Sequence, residues 1–514
     1  MLKLTLRTHF ILFLVFTISY SAIAQRSGQH RPQFHFSPEH GWMNDPNGLV
    51  FYAGEYHLFY QYYPNATVWG PMHWGHAVSK DLMHWEDLPI ALFPDSLGYI
   101  FSGSAVVDEF NTTGFQRGKE KPLVAIFTYH NMEYEKAGRK DRESQGIAYS
   151  LDKGRTWTKY ANNPVVKNKG DEDFRDPKVF WYAPKKIWCM TLAVHDHAEI
   201  YVSKNLKDWK YASEFGKNDG AHGGVWECPD LSRYIASDGK EKWVLMQNLN
   251  PGALNGGSGV QYFVGNFDGE KFTNDNSPDQ IMWFDHGTDN YAGVTWSGLP
   301  ENRNIVIGWM SNWVDYAQSV PTVDWRSATT IPRDIKLVKT ELGYRLTQLP
   351  VKEFNSIVDH SSNLIWNESF LKDSIILQNG NLQHCLNLTF SLSDAMPSEV
   401  GFKLSNALNE QVVIGFDLKK NQCYVDRTNS GKHEFSTVFS AIHHADYIFG
   451  KQITVKALID VASIELFVDD GKLAMTEIFF PNTDFDKLTL FQKGGGATNV
   501  KSELIPIQTI WKNK

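Results

Sequence analysis

The chain has little cysteine: Cys189, Cys228, Cys385 and Cys423 are the only four in 514 residues. A disulfide framework is therefore excluded as the main support of the fold, and only a Cys385–Cys423 pair in the C-terminal region stays open. Cys228 reads as a packed free thiol. There is no excess of positive charge; the formal net charge is -8. That argues against nucleic acid or an anionic membrane as partner. Long hydrophobic runs are missing too, except from Phe10 to Ile18, behind Lys3 and Arg7 and ahead of Ala22-Ile23-Ala24. This is the pattern of a cleaved export signal, expected over residues 1–24, and its apolar run is too short to span a membrane. No cysteine lies near the cleavage site to carry a lipid anchor. The mature chain is expected to be exported, periplasmic or extracellular, with no membrane span. Long amphipathic helices and low-complexity linkers are also lacking.

What the chain does have is aromatic residues, turns and short strands. Aromatics make up 14% of the sequence and include 17 Trp. About 490 residues remain after signal removal, enough for two or more domains. Leu49–Tyr52 and Tyr56–Tyr60 around Ala53-Gly54-Glu55 read as a hairpin. A loose repeat follows: Ser79-Lys80-Asp81-Leu82 leads to Trp85, Ser150-Leu151-Asp152 to Trp157, and Ser203-Lys204-Asn205-Leu206 to Trp209. Phe267-Asp268-Gly269 leading to Phe272 is a weaker copy. Units of several short strands repeating at such intervals predict propeller blades.

Near Leu349-Pro350 the composition shifts, with Trp scarce and alternating strands longer. Ile464, Leu466 and Val468 alternate with Glu465 and Phe467 before the turn Asp469-Asp470-Gly471. That predicts a hairpin with one buried face, as in a β-sandwich. The expected organisation is all-β: a propeller over residues 25–345 and a sandwich over 346–514, packed directly together.

Three acidic motifs carry the chemistry. Asp45 sits in Trp42-Met43-Asn44-Asp45-Pro46-Asn47-Gly48, Asp176 in Arg175-Asp176-Pro177, and Glu227 in Trp226-Glu227-Cys228-Pro229. Each is marked by proline, reads as a turn, and has Trp or Arg beside it. Retaining cleavage of a glycosidic bond needs two carboxyl groups about 5–5.5 Å apart. Turns of different propeller repeats converge on one axis and would bring them together. The apolar neighbours of Glu227 favour its protonated form, as an acid requires. Asn44 and Asn47 are available as donors to ionised Asp45, and Arg175 is expected to keep Asp176 charged.

These motifs resemble the signatures of glycoside hydrolase family 32, the β-fructofuranosidases that cleave fructans and sucrose. The resemblance extends through Phe59-Tyr60-Gln61-Tyr62, His73-Trp74-Gly75-His76, Phe101-Ser102-Gly103-Ser104-Ala105, Gly308-Trp309-Met310, Trp325-Arg326 and Ile464-Glu465-Leu466-Phe467. It implies a five-bladed propeller followed by a β-sandwich. It makes Asp45 the nucleophile, Glu227 the acid/base and Asp176 the residue that holds ring hydroxyls. Asn44, Gln61, Trp69, Ser102 and Arg175 would line the fructose subsite, with Trp42, Phe101 and Trp309 as its apolar walls. It implies no cofactor and no metal.

The expected activity is release of fructose from the non-reducing ends of levan or inulin, with sucrose as a further candidate. A fructosyltransferase, an endo-acting fructanase and a non-catalytic fructan-binding protein are the alternatives. Linkage preference and oligomeric state stay open. His195-Asp196-His197 is read as a surface turn rather than a metal pair, and His73 and His76 as packing within a blade.

Overall fold

The computed structural model describes residues 26, 28–313, 316–371, 373–496 and 498–511. The expected export segment, residues 1–24, lies outside the described residues. Nearly everything described is strand and turn. One α-helix is present among the described residues, the five-residue Met132–Lys136, capped by Asn131 Oδ1 at the amides of Glu133 and Tyr134.

Residues 41–350 form five antiparallel sheets, each starting from an inner strand. The inner strands are Gly41–Tyr52, Tyr99–Val107, Phe174–Tyr182, Val225–Ile235 and Tyr291–Thr295. Each touches the next, and the fifth touches the first, so they close into a ring. The late strand Trp325–Arg326 pairs in parallel with Gly41–Tyr52 and ties the two ends of the ring together.

The hairpin at Ala53-Gly54 forms where expected. Both residues have positive φ (51° and 84°), the geometry of the tight turn that matches strand twist. The serine-aspartate repeat marks a recurring outer turn. In three sheets a serine ends the third strand, and its hydroxyl bonds to the acid or amide two residues on: Ser79 to Asp81 at 3.0 Å, Ser150 to Asp152 at 2.7 Å, and Ser203 to Asn205 at 3.3 Å. Such side chains supply the turn with local partners, which is why the same residue types recur there.

One feature departs from the sequence reading. The three Pro-marked motifs are not turns; they are bulges inside the inner strands. In each of the five sheets, two inner-strand residues oppose one residue of the next strand. The pairs are Asn44-Asp45 against Gln61, Phe101-Ser102 against Thr128, Asp176-Pro177 against Leu192, Cys228-Pro229 against Gln247, and Ala292-Gly293 against Gly308. Proline has no N–H to offer a ladder, so a bulge accommodates it. The bulge also re-aims the side chains around it. Asp176, Cys228 and Ala292 take left-handed backbone there, with φ of 64°, 43° and 51°.

Two six-stranded sheets follow and pack face to face around an apolar core. Strand Gly343–Pro350 spans the expected boundary at 345 and belongs to the fifth sheet; the first sandwich strand is Leu364–Leu371. The expectation of one buried face on Ser463–Val468 does not hold, because all six of its residues are buried. Ile464, Leu466 and Val468 fill the sandwich core, while Phe467 joins the core shared with the first unit. Glu465 opposes a cationic interface: it accepts from Arg333 and pairs with His35 at 2.8 Å. The second face is thus covered by the preceding unit.

The cysteines do not pair. Cys385 lies in the core shared by the two units and Cys423 in the sandwich core, on different faces of their sheets. His57 and His76 are buried against each other at 3.0 Å, His76 stacked on Phe59, as blade packing requires.

Candidate active site

Bulge residues of the first three inner strands, with Glu227 beside the bulge of the fourth, line a cavity of 260 Å³. Asp45, Asp176 and Glu227 all line it, brought from the first, third and fourth sheets. The Cys228 thiol joins two of them, with Sγ 3.8 Å from Asp45 Oδ2 and 3.6 Å from Asp176 Oδ2. A larger cavity of 690 Å³ lies around the far ends of the same strands. It brings together no such group of carboxylates. Between the two, Lys178 Nζ meets Asp230 at 2.7 Å and the Thr295 carbonyl at 2.7 Å. Both side chains are buried, and Lys178 lines the larger cavity and not the smaller one.

Asp45 accepts from Asn44 Nδ2 at 2.9 Å and from the Ser102 hydroxyl at 2.7 Å. Asn44 is itself held by Trp42 Nε1 at 2.7 Å. Asn47 donates to the Asp45 backbone carbonyl at 3.5 Å and not to its carboxylate, so Ser102 takes the place expected for it. Burial pushes the Asp45 carboxyl up; the Asn44 and Ser102 donors oppose that rise.

Glu227 accepts from the Arg175 guanidinium at 3.1 and 3.3 Å and from the Tyr291 hydroxyl. Burial raises its pKa, Arg175 opposes, and nearby Asp45 raises it again. Asp176 accepts from the Cys228 amide at 3.0 Å, and its own amide donates to Thr128 Oγ1 at 3.0 Å.

Arg175 favours the ionised form of Asp176, the direction expected, but its hydrogen bonds go elsewhere. The guanidinium bonds to Glu227, to Glu143 at 3.1 Å and to Asp173 at 2.8 Å. Burial pushes Asp176 up to about 8; Arg175 acts against this, and Glu227 and Asp45 add to it. Asp45, Asp176 and Glu227 are buried close together and raise one another's pKa, which favours a proton shared among them.

Asn44, Gln61, Trp69, Phe101, Ser102 and Arg175 line the pocket. Trp42 and Trp309 do not. Both are fully buried and pack with tilted rings against Trp313, which faces the cavity in their place. Sequence reasoning missed Trp313, Tyr291, Glu143, Asp173, His130, Glu135 and Arg142. Asp173 alone left a trace, two residues before Arg175; the others come from segments with no pattern of their own.

Outside the pocket, His197, Glu199 and Glu214 form a group able to approach one ion. Lys217 already pairs with Glu214 at 2.8 Å and Tyr201 donates to Glu199 at 2.5 Å. His195-Asp196 forms the turn between two strands.

Residues 35–350 match the N-terminal domain model of the glycosyl hydrolases family 32, and residues 353–506 match its C-terminal model. The chain belongs to glycoside hydrolase family 32. A levanase of Bacillus subtilis (strain 168) is 47% identical over 512 residues, covering 97% of this chain and 74% of that protein. The extracellular exo-inulinase of Aspergillus awamori is 38% identical over 515 residues, covering 94% of this chain and 95% of the other. A crystal structure of exo-inulinase from that organism superposes with a TM-score of 0.88 at 36% identity, over 95% of this chain and all of that one. The β-fructofuranosidase of Schwanniomyces occidentalis, solved with fructosyl-erythritol, gives 0.85 at 33% identity over 95% of this chain and 99% of the other. Among the described residues of this family member, no helix is long and apolar enough to cross a membrane.

Proposed function

We propose that this family 32 glycosidase releases fructose from the non-reducing ends of β-fructans, levan and inulin, and also cleaves sucrose. The observation that carries the reading is the single pocket lined together by Asp45, Asp176 and Glu227. A cavity of 260 Å³ in which Asp45, Asp176 and Glu227 meet suits a chain end better than the middle of a polymer. The family kinship and the named substrates of the levanase and exo-inulinase relatives support fructosyl units as what enters. The five sheets are read as the five blades of a catalytic propeller, with the sandwich as its brace. The extracellular relative supports export of the mature chain.

In this reading Asp45 attacks the anomeric carbon and forms the fructosyl-enzyme. Glu227 gives its proton to the leaving oxygen, then takes one from the incoming water. Asp45 is the better nucleophile because Asn44 and Ser102 stabilise its anion. The proton held among the carboxyls is the one Glu227 must carry. Asp176, at the base of the pocket, grips ring hydroxyls and strengthens that grip as positive charge builds on the ring. Gln61, Trp69 and Phe101 shape the sugar face.

The test is to incubate the purified protein with levan, inulin and sucrose in parallel and resolve early products by chromatography. Free fructose from the start is expected, with the β-anomer first in proton NMR. A ladder of oligomers would reject end-cleavage, and an initial α-anomer would reject the role given to Asp45. No product from any of the three would reject the enzymatic reading.

A further inference from the structure

Among the described residues Arg175 is the one cation touching Glu227, and its own position is set from behind. The strand Leu123–His130 ends at His130, and Glu143–Ser150 begins at Glu143; the two residues are cross-strand partners. Glu143 has only 1% of its surface exposed, yet it lines the pocket. Its Oε1 accepts twice, from Arg175 Nη1 at 3.1 Å and from His130 Nδ1 at 3.1 Å. Its Oε2 is buried, with no protein partner among the described residues. The His130 ring lies flat on Phe101, centroids 4.3 Å apart and planes 8° apart. Glu135, from the short helix over the pocket rim, holds the other side of the imidazole.

We propose that Glu143, with His130, is a positioning residue: one buried carboxylate sets both the Phe101 face of the sugar pocket and the Arg175 guanidinium that holds Glu227. A rigid bidentate cation placed by three carboxylates has one orientation. Remove the rear carboxylate and Arg175 is free to close fully on Glu227. A carboxyl gripped that way surrenders its proton too early to serve as an acid. The same change frees His130 and loosens the ring behind the sugar. The charged and titratable groups facing Glu143 are Arg175, His130 and Asp173, with Glu227 beyond the guanidinium.

The proposal rests on Glu227 being the acid, and the experiment separates the two claims. Steady-state rates of Glu143→Gln are measured against pH with sucrose and with β-fructosyl fluoride, whose leaving group needs no proton. Expected are a fall in kcat of about tenfold to a hundredfold on sucrose, a smaller fall on the fluoride, and an unchanged melting temperature. The alkaline limb of kcat should move to lower pH by about half a unit to one unit, because one negative charge near Glu227 is gone. His130→Leu should raise KM on sucrose, and His130→Phe, which keeps the flat ring, should restore it. A limb that stays in place, or losses that only track a lower melting temperature, would overturn the role of Glu143. Glu227→Gln is the control. It is read in kcat/KM, which reports the first bond cleavage and not the later step in which Glu227 acts as base: an equal loss on sucrose and fluoride means the acid assignment fails first, and a spared fluoride while Glu143→Gln leaves the limb unmoved means the present inference alone fails.

Discussion

Trp309 and Trp313 show how fine the difference is between a wall and its backing. Both are apolar and four residues apart, and their rings touch with centroids 4.8 Å apart. Only Trp313 lines the pocket. Trp313→Ala should therefore raise KM about three- to tenfold with little change in melting temperature. Trp309→Ala removes a fully buried ring and should cost about 3–5 kcal/mol in a urea titration. For the chemistry itself, Asp45→Ala and Glu227→Ala should each lower turnover by roughly three to five orders of magnitude while the fold persists. Rates near wild type in either would remove that residue from its role. The three acids were legible in the sequence because proline and tryptophan mark them. The partners of Arg175 were not, because Glu143 arrives from a neighbouring sheet through tertiary packing.

At the scale of elements, the outer turns and the inner bulges behave differently. The turns are local: Asp81 accepts from the amides of Met83 and His84 at 3.0 and 2.8 Å, and nothing distant is needed. Asp81→Ala should cost about 1 kcal/mol and leave kcat/KM unchanged, by parallel melting and activity assays. The bulges are not local. A sequence containing Asp-Pro reads as a turn when the strand it pairs with is unknown. Only the register of Gln61, Thr128, Leu192, Gln247 and Gly308 across from them reveals one extra residue in each inner strand. The same limit applied to Ser463–Val468, where alternation correctly separated the two faces but could not show that both are covered.

For the whole molecule, the union of the two units is ionic as well as apolar. His35 is fully buried between Asp460 at 2.7 Å and Glu465 at 2.8 Å. Arg333 bridges Asp285 and Glu465, and Arg427 bridges Asp289 and Glu477. Burial alone would lower the His35 pKa, but the two carboxylates outweigh it and raise it to about 9 from 6.5. A raised cation pKa means stability that is complete below about pH 6.5 and lost as pH rises through about 9. The melting temperature should fall over that window, by the equivalent of about 3 kcal/mol at most. His35→Gln should flatten the dependence. A wild-type melting curve level from pH 6.5 to 10 would mean the imidazolium contributes nothing to the union.

The sequence by itself determined the all-β class, the outer turns, the family and its three acids, because each of these is written in residues close together along the chain. Tertiary structure alone decided that the acids share one pocket, that Arg175 bonds to Glu227, and that Trp313 displaces Trp309 at the wall. Those outcomes depend on which strands become neighbours around the ring. Long-range pairing sets that geometry, and burial then sets the charge each carboxyl can carry.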